Sequence, residues 1–467
     1  MILRALVSGL KSKFMRDTAT LQLASLLNQS SQLISTVAIA YLLGAEGQGL
    51  YVSAIALQAL AYFLVTVGVT QATVSQVAAA GARGNRIKTA GWIAFMAKTM
   101  LLFGLGILAL GYFVLPAVGE LIYDTFDTGA AGHGREIGQW AWLLCLQPLL
   151  DLPRVTAGVA FQGTRRMLAL GQIENGQEVV RLFLVVLGAT ITGSPLGAIV
   201  GHLVACAIGS VVAIDVYRRA RREDPGLLPT VGEVVRGMRD VPMMRGIRLG
   251  FRVALLKNGH VLFINVFPRL IIGGVVGLDW VAYFHIAQRF MDVFLVFAQG
   301  VKRTALPALS ELAGLKDVRR FQRMFWKITL ITGGIHTLGL IGAMPFIRPL
   351  VAALFPDGYA RPVWTFYWIL SLGYIPVAFA TGIESFYIAT NQIKAWLWLT
   401  VVGASITIPV NVWLIMHIPY TGTAWGLSLY QSWILVHLGY ATFFFATRHG
   451  ESTWQPATPE PGPKPST

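Results

Sequence analysis

The stretch "YLLGAEGQGLYVSAIALQAL", residues 41–60, is echoed at residues 270–290 by "LIIGGVVGLDWVAYFHIAQRF". Each copy has two aliphatic residues, a glycine, a short turn, an aromatic residue and an Ile–Ala pair. Both lie between long apolar runs, so each reads as a tight turn joining two membrane-crossing helices. Working outward, apolar runs near 20 residues recur along all 467 residues, and each can span ~30 Å of hydrocarbon. They fall at 20–43, 49–75, 90–115, 138–162, 168–191, 195–217, 250–274, 279–300, 325–346, 363–387, 392–416 and 422–446. Six precede the longest polar connection and six follow it, so the two echoing turns belong to copies that run in the same direction. The expected fold class is an all-α polytopic membrane protein of twelve transmembrane helices in two parallel-repeat six-helix lobes. The expected parts are an N-terminal lobe 1–217, a basic cytoplasmic linker 218–249 with an interfacial helix, a C-terminal lobe 250–446 and a disordered tail 447–467.

Composition agrees. The chain is 55% hydrophobic and 13% charged, with a mean hydropathy of +0.61. A soluble protein carries roughly 25% charged residues. Cys145 and Cys206 both lie inside apolar runs, which argues against a disulfide framework. No cleavable leader is expected: the first apolar run follows Lys11, Lys13 and Arg16, and no small-residue cleavage site ends it.

Charge sets the expected topology. Basic residues cluster on alternate connections: Arg4 to Arg16; Arg83, Arg86 and Lys88; Arg165 and Arg166; Arg218 to Arg248; and Lys302 to Arg323. The opposite connections hold Arg135, Arg348 and Arg361. By the positive-inside rule both termini are cytoplasmic. The net charge of +15 then reflects topology and contact with anionic lipid, not nucleic acid.

At the first turn the chain resembles a known family. "LLGAEGQGLYVSAIALQALAYFLVTVGVTQATVSQVA", with Gly44, Gly47, Gly49 and Tyr51, is similar to the first hairpin of the Wzx-type polysaccharide transporters of the MOP superfamily. "AYFHIAQRF…TALPALSEL" (282–312, with Pro307) resembles that family's eighth span. "ATNQIKAWLWLTVVGASITIPVNVWLI" followed by "GTAWGLSL" resembles its last hairpin. The resemblance implies a V-shaped, MATE-like transporter of the bacterial inner membrane that works by alternating access. It also implies a substrate: an undecaprenyl-pyrophosphate-linked oligosaccharide, moved from the cytoplasmic to the outer leaflet. Expected partners are that lipid, the surrounding membrane lipids and assembly proteins such as a polysaccharide polymerase; the default oligomeric state is a monomer.

Charges inside spans cost about 2.5–3.5 kcal/mol each on insertion scales and need a partner or a purpose. Asp151 and Arg154, Glu178 and Arg181, and Arg289 and Asp292 are each three apart, on one helix face. They read as ion pairs that neutralise one another or as coupling groups, with Glu174 a second acid near Arg181. Span seven differs, having Arg252, Lys257 and Arg269 and no acid. On a regular helical wheel Asn258, Asn265 and Arg269 share one face, with Arg252, Lys257 and His260 on a neighbouring arc. Arg252 and Arg269 lie near span ends and can alternatively snorkel; Lys257 lies about two turns in. With Arg289 these bases suit a pyrophosphate, which Arg can bind bidentately and Lys as a point charge. Asn258, His260, Asn265 and Gln288 form the expected polar cleft, and Asn28, Gln32, Gln58, Trp280 and Tyr283 are further candidates for sugar contacts.

Rival readings are weighed by absences. No phosphate-loop motif is present, and the eight His are scattered without H-x-x-x-H or C-x-x-C spacing. Neither a nucleotide, a metal nor any other cofactor is therefore expected. A polymerase would need a sizeable outer loop, so no enzymatic activity is expected. A cation antiporter of the same superfamily would carry an acid in the first span, and residues 20–43 hold none. A lipid II flippase would resemble fourteen spans with an Arg in the first; here there are twelve and none.

Overall fold

The computed structural model describes residues 13–65, 69–82, 84–125, 132–164, 166–240, 262–314, 317–390 and 392–447. Among them every regular element is helical. In hydrocarbon, backbone N–H and C=O groups must be satisfied within the protein, and a helix satisfies them within a single segment.

The opening stretch forms a tight reversal. Helix α1 spans Lys13–Val65 and is broken at Gly44, whose φ of 68° and ψ of −175° lie outside helical space. The Gln48 side chain donates to the Thr36 carbonyl at 3.4 Å. In a straight helix those residues would be about 18 Å apart along the axis, so the chain folds back on itself within a few residues. Only glycine adopts this φ without steric cost. Five residues on, a Cβ at Gly49 would lie 2.0 Å from the Leu278 carbonyl oxygen. Leu278 follows Gly277, whose φ is 139°, so the two echoing turns touch, backbone to backbone.

From there the chain continues through α2 (Val69–Ala82), α3 (Arg86–Tyr123), α4 (Gly134–Leu144), α5 (Gln147–Leu150), α6 (Leu152–Gly163), α7 (Met167–Thr192) and α8 (Pro195–Glu223). The fourth expected span is thus segmented. Pro148 and Pro153 each sit in the first turn of a segment, where a missing N–H costs nothing. Helices α7 and α8 meet through Gly193, which ends α7 in left-handed geometry, and Ser194, which caps α8. Their backbones then pack directly: a Cβ at Gly188 would lie 2.1 Å from the Gly197 carbonyl oxygen, and one at Gly201 would lie 2.1 Å from that of Leu184. Small residues allow this approach where no hydrophobic force drives helices together.

Helix α9, Val231–Asp240, falls within residues 218–249. The described part of the expected seventh span is a π-helical turn, Leu262–Val266, followed by α10, Phe267–Val275. Pro268 lacks the N–H that would close the preceding α turn, which accounts for the wider turn there. Helices α11 (Leu278–Gly314), α12 (Val318–Leu354), α13 (Ala360–Ala378), α14 (Ile383–Ala389), α15 (Ile393–His417), α16 (Gly422–Ser432) and α17 (Ile434–Thr447) follow.

The chain groups into two compact units, Met1–Ile286 with Leu354–Pro356, and Ala287–Ala353 with Asp357–Thr467. The first unit has an interior of small and aliphatic residues around Phe161, Ile173, Ala213 and Tyr217. The second is built around Phe321, Phe325, Phe386, Tyr387, Phe444 and Phe445. Six described helical runs are long and apolar enough to cross a membrane, among them Ser25–Phe63, Arg86–Tyr123 and Pro195–Glu223. Of the others, α7 carries Glu174, Glu178 and Arg181 and α11 carries Asp279, Arg289 and Asp292 within their runs, and the fourth expected span is broken at Pro148 and Pro153. The chain is a multi-pass membrane protein, and the apolar residues left exposed, such as Leu110, Phe113, Ile191 and Leu338, are the surface it offers to lipid. The tail, 448–467, lies outside the described residues.

Candidate functional site

Among the described residues, the richest constellation of polar groups lies within the first unit. Asp151 stands at the α5–α6 break and is 2% exposed. Arg154, one turn on, grips it with two parallel bonds, Nε to Oδ1 at 2.9 Å and a terminal nitrogen to Oδ2 at 2.7 Å. Such a fork-to-fork pair is the strongest form of the interaction. The Gln177 amide of α7 donates to the same Oδ1 at 3.1 Å and to the Cys206 sulfur of α8 at 3.5 Å. Tyr62 of α1 lies within electrostatic reach of Asp151, Arg154 and Cys206. Beside it, Gln58 donates to Gln147 at 3.5 Å. Four helices and a helix break therefore converge on one carboxylate.

One turn beyond Gln177, Arg181 bonds Glu178, its Nε at 2.9 Å. Arg181 also feels Tyr51 and Cys206. Between the two ion pairs lies His202 of α8, close to Arg181, Asp151 and Arg154. Both its ring nitrogens are shut from solvent and have no hydrogen-bond partner among the described residues. Sequence reasoning missed His202, Gln177 and Tyr62. The available signal was a charged and amide-rich run, "GQIENGQEVVR", facing a span with a lone histidine.

Both pairs in this unit form as their i, i+3 spacing predicts. Each acid is already neutralised by an arginine, so these pairs carry no surplus of negative charge to hold a cation. Their chemistry is instead that of an exchangeable pair: any group that takes Arg154 or Arg181 leaves a buried carboxylate that must find another partner or a proton.

The cationic residues are distributed differently. Arg252, Lys257, Asn258 and His260 lie outside the described residues. Asn265 falls in the π turn and Arg269 on α10. The regular wheel that placed Asn265 and Arg269 on one face does not apply, because the wider turn rotates the side chains before Pro268 relative to those after it. In the second unit Gln288 is 1% exposed, and Arg289 approaches Asp292 at 3.6 Å, a looser pair than the two in the first unit. Among the further sugar-contact candidates, Gln32 donates to Asn28 at 2.5 Å, and Trp280 and Tyr283 pack edge to face at 5.9 Å. No group of three metal-ligating side chains occurs among the described residues.

The sequence matches the family described as polysaccharide biosynthesis protein over residues 14–313. The chain belongs to that family. Its fold is shared more widely. It superposes on a eukaryotic MATE transporter, AtDTX14, with a TM-score of 0.69 and 15% identity, covering 92% of this chain and 95% of that one. The lipid II flippase MurJ in an inward closed conformation gives 0.67 at 12% identity, covering 90% and 87%. A MOP superfamily transporter from Pyrococcus furiosus, described as having reversed binding-pocket polarity that suggests a different function, gives 0.64 at 15%, covering 95% and 98%. No curated protein matches the sequence. This member of the polysaccharide biosynthesis family thus has the fold of MOP-superfamily transporters.

Proposed function

We propose that the chain is a flippase that moves an undecaprenyl-pyrophosphate-linked oligosaccharide from the cytoplasmic to the outer leaflet of a bacterial inner membrane, with both termini cytoplasmic. The observation that carries this reading is the joining of a polysaccharide biosynthesis family match over residues 14–313 to a transporter fold. The charge pattern supports it. The buried Asp151 and the half-buried Glu178 are each engaged by an arginine, whereas span seven contributes Arg252, Lys257 and Arg269 without an acid in its own run. A multidrug cation would meet the wrong polarity; a pyrophosphate would meet the right one.

In this reading Lys257 and Arg289, with Arg252 and Arg269, hold the diphosphate. Arg289 leaves Asp292 as substrate binds, and Asp292 then takes a proton, which couples transport to pH. Asp151 with Arg154, and Glu178 with Arg181, form the second exchangeable set.

The test is flipping of a lectin-detectable undecaprenyl-pyrophosphate oligosaccharide in proteoliposomes. The native chain should move it, and Lys257→Ala and Arg289→Ala should each slow movement by roughly tenfold or more, the loss of one charge-assisted bond, while inserting normally. Asp292→Asn should remove the pH dependence of flipping and leave lipid binding intact. Variants that flip as fast as the native chain would show those charges to be structural. A native protein that moves lipid II, or organic cations, and not this lipid would replace the substrate with one of those.

A further inference from the structure

Against helix α9 the first unit forms a second, very different space, half open to the surroundings. It is a cavity of about 260 Å³ between α3, α6, α8 and α9. Ile93 and Ala97 form one wall, Pro153 and Ile214 another, and Val235 and Met238 of α9 a third. The Tyr217 hydroxyl at its edge already donates to the Pro229 carbonyl at 2.9 Å. An ordered water needs two to four polar partners, and apolar cavities of even ~150 Å³ stay dry and take hydrocarbon. Apart from the Thr156 and Tyr217 hydroxyls, this one is lined by carbon.

The surroundings have the opposite character. Helix α9 is held to the α3 end by Arg86, which bonds both Glu233 oxygens at 2.8 and 2.7 Å. Glu233 and Thr230 cap the helix reciprocally. Val231 and Val235, which line this space, are themselves 45% and 58% exposed, so it opens to the surroundings along α9. Around it Arg218, Arg221, Arg222, Arg236 and Arg239 form no ion pair with a described residue, whereas Arg219 has Asp215 and Arg166 has Glu223 and Asp224. Arg221 stands one turn beyond Tyr217, and its charge reaches that hydroxyl. Its Nε–H is shut from solvent and lacks a hydrogen-bond partner among the described residues. A dry slot for hydrocarbon therefore opens beside a buried, unengaged donor on a permanent cation.

We propose that this cavity takes one acyl chain of an anionic phospholipid, whose phosphate is held at Arg221 in the field of Arg236 and Arg239. The hydrocarbon fills the space under α9, and the phosphate oxygen accepts from the Arg221 Nε–H. This lipid is a resident of the linker and not the transported cargo.

The experiment places the full-length protein in nanodiscs that contain phosphatidylglycerol or phosphatidylcholine with a photoactivatable diazirine on the acyl chain. After irradiation, labelled peptides are mapped by mass spectrometry. Phosphatidylglycerol should label the peptides around Ile93–Ala97 and Val231–Met238 by roughly fivefold or more over phosphatidylcholine, the ratio expected of about one charge-assisted contact. Arg221→Gln should bring that ratio to about one. Val235→Trp, which plugs the space, should remove the label from Ile93–Ala97 for both lipids, and Met238→Leu should keep it. Should Val235→Trp fail to give folded protein by size exclusion, Ile214→Trp plugs the same space from the other wall. Equal labelling by the two lipids in the native chain overturns the proposal, as does an undiminished ratio in Arg221→Gln. Label that unlabelled undecaprenyl phosphate displaces and unlabelled phosphatidylglycerol does not would make the occupant a prenyl tail, which also overturns it.

Discussion

The two units fasten neighbouring helices in the same way and fill their interiors in opposite ways. In the first, the Trp142 indole donates to the Leu108 carbonyl at 2.9 Å; in the second, the Tyr367 hydroxyl donates to the Leu340 carbonyl at 3.1 Å. Each bond staples a helix to its predecessor through an aromatic donor. Beyond that the likeness ends. The first unit gathers Asp151, Arg154, Gln177, Glu178 and Arg181 inside it. The second packs Phe321, Phe325, Phe386 and Phe445 ring against ring. Around them Tyr387 stacks on Trp396 and Tyr440 and meets His437 at 2.9 Å. A charged interior can be rearranged by moving one proton or one partner. An aromatic interior changes only by repacking, which costs contacts all at once. The polar interior of the first unit is therefore suited to switching and the aromatic cluster of the second to holding shape, while the exchangeable pair of the second unit, Arg289 with Asp292, is not part of that cluster.

That contrast can be broken most sharply at Arg154. Arg154→Leu should cost about 3–5 kcal/mol, because it strands a buried carboxylate. Adding Asp151→Leu should restore most of that stability, since the stranded charge is then gone. Thermal unfolding in detergent reads both; a double variant no better than the single one would mean that the pair acts through shape. Phe386→Ala in the second unit should cost a similar ~3–5 kcal/mol, but here no partner substitution to a smaller residue should recover it, because what is lost is volume. A smaller effect is expected for Tyr387→Phe, about 1 kcal/mol in thermal unfolding for the lost bond to His437, because the ring and its stacking remain.

The smallest effect belongs to the linker. Thr230's backbone N–H, and then Arg86, hold the Glu233 carboxyl down at about 2 from an ordinary 4.5. A depressed acid contributes stability fully above its unfolded pKa and loses it as pH falls through its folded one. Protection of residues 231–240 against hydrogen exchange should thus hold above pH 4.5 and fall between 4.5 and about 2. Glu233→Gln should flatten that fall without altering the unfolding of the rest. Because Glu233 is largely exposed, solvent screens the interaction, and the change should be slight.

What the sequence disclosed and what it withheld follow one rule. Relations within a helix were legible. The spacing of Asp151 to Arg154 and of Glu178 to Arg181 gave both ion pairs, and the glycines at 44, 47 and 49 gave the reversal. Relations between helices were not. Gln177 reaches Asp151 across 26 residues and Tyr62 approaches the same acid from α1; only packing brings them together. The π turn was hidden for a different reason: Pro268 announces an irregularity, but whether the helix kinks, unwinds or widens depends on neighbours that the local sequence does not name. The polysaccharide family and the transporter fold were legible in the same turn-and-span pattern, because a membrane permits so few ways to satisfy the backbone.

Helices α7 and α8 offer one more consequence. With the backbones in contact at Gly188, Gly197 and Gly201, neither helix can slide or rotate on the other without driving an alpha carbon into a carbonyl. The pair behaves as a single beam. Spin labels placed on its two outer ends carry a fixed ruler inside a moving machine: their spacing should stay constant through every stage of a transport cycle, giving a built-in standard against which displacements elsewhere can be measured.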